Sequence, residues 1–248
     1  MDGDDEVDFG LDEVDDPNYI PPKALSPLTN IAHLEMAWVR FRYVPINKHT
    51  SQIYRFRNRQ LHHRVRECSR ALDLLEALNA GFELDNVIDP AFNRGEFENM
   101  LDLDRATIMG HSIGGSTALI TAAAELRFKV VIALDAWTYP IKDEPLDLIT
   151  QPVLLINTET MAADESNCQK LSEIMTLLEE DDQDRRQAWI INDSKHFQQC
   201  DIPFIFNWFT MLVSGMGISG NTGSTFTVHD LTSALSLQFM YKYLGKCV

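Results

Sequence analysis

One stretch of the chain has residue types that could form a covalent intermediate: Gly110-His-Ser-Ile-Gly114, a G-x-S-x-G pattern continued by Gly115. The apolar segment Ala106 to Met109 precedes it and the alanine-rich run Ser116 to Ala124 follows. Strand, sharp turn and helix in that order are the context in which such a serine stands at the tip of a nucleophile elbow. Close quarters demand small residues there. The spacing predicts that Gly110 and Gly114 let strand and helix approach, with Ser112 held in a strained conformation. A serine hydroxyl is a weak nucleophile, so it needs a base within hydrogen-bond reach, itself oriented by an acid. The chemistry this predicts is acyl transfer through an acyl-serine.

In elbows of this kind the acid and then the histidine follow the serine along the chain. Seven histidines compete. His33, His49, His62 and His63 precede the serine, and His111 lies inside the elbow itself. His229 reads as a surface or capping residue at the start of the last helix. His196 follows an apolar strand in a polar loop and is the expected base. Two acids stand at strand ends, Asp135 and Glu159. A buried carboxylate stays charged only when paired, and an imidazolium could pair with either. Residue chemistry alone leaves that choice open.

The elements that must position these groups are legible as apolar runs. Phe128 to Leu134, Pro152 to Ile156 and Gln187 to Ile191 read as buried strands, ending at Asp135, Asn157 and Asn192. Helical stretches over 115–126 and about 164–179 lie between them. This alternation predicts an α/β fold with a mostly parallel sheet flanked by helices. Ligands in such sheets bind beyond the carboxyl ends of the strands. Ser112, Asp135, Glu159 and His196 all fall there.

Upstream, Leu61, Val65, Cys68, Leu72, Leu75 and Leu78 recur at helical spacing, predicting an amphipathic helix over 58–80 that stops at Gly81. Residues 82–103 read as loop with short helical pieces. Phe204 to Val213 is apolar nearly all round, as a buried or lipid-facing helix would be. A Gly/Ser/Asn loop over 215–223 and an amphipathic helix from Leu231 to Leu244 close the chain. Residues 1–30 are acidic and proline-rich and are expected to be disordered, leaving 31–248 as the α/β domain.

Charge is uneven. The net charge is -16, and nine acids with no base crowd into residues 1–16. Without them 28 acids face 21 bases, and nothing in that balance suggests nucleic-acid binding. Nine Lys or Arg between residues 40 and 70 face a single acid, Glu67, and read as a solvated helix face. Four cysteines at scattered positions read as free thiols. No basic and apolar leader opens the chain, which favours a cytoplasmic location, or secretion if the natural N-terminus lies upstream.

The motifs taken together carry a resemblance. Gly110 to Gly115, Ala133-Leu-Asp-Ala-Trp137, Ile156-Asn-Thr-Glu159, Ser194-Lys-His-Phe-Gln-Gln-Cys-Asp201 and the helix Val65 to Leu72 resemble the platelet-activating factor acetylhydrolase family of α/β-hydrolase phospholipases A2. The likeness runs from about Trp38 to Leu244. It implies Ser112 as nucleophile, Asp135 as acid and His196 as base. It also implies calcium-independent hydrolysis of sn-2 acetyl, short or oxidised acyl esters of phospholipids, with no metal or other cofactor. The segment Phe204 to Val213 would then lie near a membrane or lipoprotein surface. Family members carry further strands and a His-Gly-x-Gly-type oxyanion loop before the elbow, and this chain has no such motif there. It is therefore expected to correspond to the C-terminal part of the catalytic domain. Ile113 N–H is the oxyanion donor it retains. A non-catalytic relative and a general carboxylesterase are the alternative readings.

Overall fold

Four strands run parallel and side by side in chain order: β1 (Thr107–His111), β2 (Val130–Leu134), β3 (Val153–Thr158) and β4 (Arg186–Ile191). The computed structural model describes residues 50–82, 93–176, 184–205 and 222–245. The expectations for residues 1–30, for 31–49, for the apolar helix beyond Ile205 and for the loop up to residue 221 lie outside these. The described helices are α1 (Ser51–Asn79), α2 (Ile113–Ala124), α3 (Glu159–Ala162), α4 (Glu165–Thr176), α5 (Ile202–Ile205) and α6 (Thr222–Leu244). None is both long and apolar enough to cross a membrane.

The central strands β2 and β3 are apolar on both faces because both faces are covered. Side chains alternate across a strand, so neighbouring residues enter different cores. Ile108, Val131, Ala133, Val153 and Leu155 pack with Leu61, Val65 and Leu72 of α1, Leu119 and Ala122 of α2, and Leu171 and Ile174 of α4. Val130, Ile132, Leu134, Leu154, Ile156 and Ile191 pack instead with Val228 and Phe239 of α6. Leu119, Ile132, Leu154, Leu155 and Ile156 are fully buried. Each such side chain contributes about 1.5–3 kcal/mol relative to an exposed one. A one-residue slip of β2 or β3 would exchange the two cores, so burial on both faces pins the register.

That register sets the height of the site. His111 lies opposite Leu134, and Leu134 opposite Ile156. Residues just past these positions therefore emerge together at the carboxyl edge of the sheet. α1 begins earlier than its apolar stripe, at Ser51, where the Thr50 hydroxyl accepts the Ile53 N–H at 3.3 Å as a cap. Its other end stops as expected, with Gly81 at φ +75°. The stripe outruns the core: Leu61, Val65 and Leu72 are buried, but Leu75 is 40% exposed. Arg55, Arg59, Arg64, Arg66 and Arg70 are exposed, as a solvated face requires. Arg127, after α2, holds this helix end through Asp73 and Glu76 at 2.7 Å each while also pairing with Glu125 at 2.6 Å.

Candidate active site

The elbow is a tight turn between β1 and α2. A Cβ on Gly110 would lie 2.2 Å from the Gly114 carbonyl oxygen, so only glycine fits that strand position. The close approach on the helix side is made by Gly115, not Gly114 as the sequence spacing predicts. A Cβ on Gly115 would sit 3.0 Å from Ala136, whereas one on Gly114 would meet nothing within 4 Å. Ser112 adopts φ 59°, a region that costs a non-glycine residue about 1–3 kcal/mol. Backbone bonds hold it there. Its N–H donates to the Leu134 carbonyl at 2.9 Å, and its carbonyl accepts from Gly115 and Trp137 at 3.0 Å each. Ile113 opens α2, so its N–H is one of the first-turn donors with no acceptor inside the helix.

Asp135 leaves β2 with φ 43° and is completely buried. Both of its oxygens are engaged. Oδ1 accepts the Thr158 N–H at 2.5 Å, and Oδ2 accepts the Thr158 hydroxyl at 2.6 Å and His196 Nδ1–H at 3.0 Å. Three donors compensate the cost of burying a carboxylate. Because a carboxylate can only accept, the proton lies on Nδ1 and leaves Nε2 of His196 free to act as a base. Glu159, the other candidate acid, points elsewhere: it is exposed and its Oε2 accepts the Asp193 N–H at 2.6 Å. Geometry thus separates two carboxylates that residue chemistry left equal.

His196 is gripped from several sides. Its N–H donates to the Thr160 hydroxyl at 3.2 Å, and its carbonyl accepts from His111 Nε2 at 3.0 Å. The two imidazoles also lie face against face, with centroids 4.4 Å apart and planes 32° apart. Burial, and after it the neighbouring His196, lowers the pKa of His111. Among the described residues no hydrogen bond joins Ser112 Oγ to His196. Such nucleophile–base contacts are often loose before substrate binds.

The sequence matches the model of the family described as "Platelet-activating factor acetylhydrolase, isoform II" over residues 20–247. The chain belongs to that family. Proteins named platelet-activating factor acetylhydrolase from Bos taurus and Canis lupus familiaris are each 32% identical to it, over 82% and 76% of this chain. One of the same name from Gallus gallus is 33% identical over 51% of this chain. The matched regions are 44%, 40% and 29% of those proteins. The chain therefore spans less than half the length of these relatives. The parallel sheet with helices on both faces is the α/β-hydrolase fold of the platelet-activating factor acetylhydrolase family.

Within that fold, four residues at the site escape a reading of the sequence. His111 lies inside the elbow, where only the folded loop reveals that it meets His196. Thr158, Thr160 and Ser194 read as ordinary β-prone or loop residues. His229 is not at a helix start but inside α6, where its Nε2 reaches the Cys200 carbonyl at 3.3 Å and its ring contacts Phe204. His111, Asp135 and His196 offer ligand atoms within 4.8 Å of one another. A divalent ion there would have to take over Asp135 oxygens already engaged by Thr158 and His196, so the donor set fits an acid–base pair better than a metal centre. Cys68, Cys168 and Cys200 are free thiols, and burial raises the pKa of the last two, which suits inert rather than nucleophilic cysteines.

Proposed function

We propose that this chain carries a serine esterase site that hydrolyses the sn-2 acetyl, or short or oxidised acyl, ester of platelet-activating factor-like phospholipids. The observation that carries this reading is the fully buried Asp135 paired to His196 at 3.0 Å, one strand away from the strained Ser112. His196 Nε2 takes the Ser112 hydroxyl proton as Oγ attacks the ester carbonyl. The same proton then passes to the departing glycerol oxygen, leaving an acetyl-serine. Water, deprotonated by His196, hydrolyses it and releases acetate. Asp135 stays a carboxylate throughout, holding the tautomer and stabilising the imidazolium. The Ile113 N–H supports the developing oxyanion, and one such donor is worth about 10²–10³ in rate.

No step needs a metal, so hydrolysis is expected to be calcium-independent. Phe204 and Ile205, both exposed, support contact of this end of the domain with a lipid surface. The test is acetate release from a 2-acetyl phospholipid in the presence of a chelator, set beside monomeric p-nitrophenyl acetate. The proposal expects the phospholipid to be cleaved with chelator present and Ser112→Ala to be inactive on both. Cleavage of the water-soluble ester alone would point to a general carboxylesterase. No cleavage of either would point to a non-catalytic relative.

A further inference from the structure

The turn after β3, Thr158-Glu159-Thr160, touches both members of the acid–base pair. We propose that the Thr158 and Thr160 hydroxyls form a positioning relay that ties the backbone of His196 to the carboxylate its own ring is bonded to. The reading rests on the catalytic roles proposed above.

The direction of every bond in the relay is forced. Asp135 Oδ2 can only accept, so the Thr158 hydroxyl spends its single proton on it, at 2.6 Å. In the 3.1 Å contact between the two threonine oxygens, Thr160 must then be the donor. With its proton committed, the Thr160 oxygen accepts the His196 N–H at 3.2 Å. His196 closes the circuit with Nδ1–H on the same Asp135 Oδ2, at 3.0 Å. A closed ring in which each hydroxyl donates onward is mutually polarised, which strengthens each member. It also converts two loops that the sequence separates into one rigid unit.

The rest of the turn engages the same His196 loop. Glu159 Oε2 accepts the Asp193 N–H at 2.6 Å, where Asp193 has φ 54°. The Glu159 N–H donates to Ser194 Oγ at 3.3 Å, and the Thr160 N–H to the Ser194 carbonyl at 3.4 Å. The Ser194 hydroxyl in turn donates to the Ile191 carbonyl. Thr158 has an ordinary duty as well, capping α3 by accepting the Met161 N–H at 3.4 Å. Thr160 has no such duty to a helix end, so Thr160→Val breaks the relay while leaving the cap intact.

The experiment compares the full chain with Thr160→Val and Thr160→Ser by two readouts, one independent of activity. Hydrogen exchange at the His196 amide is expected to accelerate about tenfold in Thr160→Val, the loss of one ordinary hydrogen bond. The rate of labelling by a fluorophosphonate is expected to fall about three- to tenfold, with the melting temperature lowered by only about 2–4 °C. Thr160→Ser, which keeps the hydroxyl, restores most of both losses. Exchange in Thr160→Val equal to wild type, or Thr160→Ser as impaired as Thr160→Val, overturns the relay. Wild type labelling no faster than Ser112→Ala overturns the catalytic reading instead, and the exchange comparison still decides the relay.

Discussion

The Ser112 half of the site and the Asp135–His196 half are built differently. Asp135 and His196 lie beyond β2 and β4, with β3 between them ending at Thr158 and α3 supplying Thr160. Every described residue of β2 and β3 is buried, and the polar groups at their ends bond one another. Ser112 extends from β1, which among the described residues pairs only with β2 and leaves Met109 47% exposed. Its geometry comes from glycine-dependent contact and main-chain bonds to Leu134 and Trp137. Around Asp135 and His196 side-chain hydrogen bonds fix the geometry, whereas at the end of β1 backbone shape does so.

Substitutions can separate these two modes of construction. The largest effect is expected at the buried carboxylate. Asp135→Asn should lower kcat on a short-chain ester about 10³–10⁴-fold by presenting the wrong tautomer of His196. Glu159→Gln, which loses only charge on an exposed acceptor, should cost less than about tenfold by the same steady-state assay. Equal losses would erase the distinction between the two acids.

On the Ser112 side, shape rather than charge is the vulnerable quantity. Gly110→Ala forces a Cβ to within 2.2 Å of a backbone oxygen, and should destabilise the chain by about 3 kcal/mol, read from denaturant unfolding. Gly114→Ala, with open space around it in α2, should instead stabilise by about 0.5–1 kcal/mol. Similar values for the two would mean that the elbow tolerates more than its geometry implies.

The smallest effect is at the contact between the halves. Burial and His196 depress the pKa of His111 in the folded chain. The unfolded chain thus takes up this proton first, near the ordinary histidine value of about 6.5. The neutral His111 contribution is whole above that value and is lost as pH falls through it toward the lower folded value. His111→Gln keeps an amide donor for the His196 carbonyl but does not titrate. Its melting temperature should therefore fall less steeply between pH 7 and 5 than that of the wild type. An unchanged slope would remove His111 from the acid sensitivity of the fold.

Much of the scaffold is legible in the residues, and the reason is burial. β2 and β3 are unbroken β-branched and apolar runs because both faces are covered, so their existence and parallel pairing follow from composition. Their ends are less legible: β3 continues through Asn157 and Thr158, polar residues that pair along the sheet, and Thr158 then bonds Asp135. The choice between Asp135 and Glu159 is invisible in residue chemistry, since it depends on which side chain turns inward past the strand. Resemblance to a family, not spacing, favoured Asp135. Gly114 and Gly115 are equivalent as letters, and only the path of α2 over Ala136 shows which one must be small. Leu75 extends a helical stripe past the core it serves, a matter of where the sheet stops. Thr158 and Thr160 carry no chemical signal of their own, because a threonine at a strand end or in the turn after it is ordinary.

Whether Ser112 is an activated nucleophile is tested most directly by covalent capture. The full chain is treated with a fluorophosphonate, digested, and the adduct located by peptide mass. A single adduct on Ser112, absent in Ser112→Ala and slowed at least a hundredfold in His196→Ala, is the predicted result. An unmodified Ser112 peptide, or an adduct formed equally fast without His196, would contradict it.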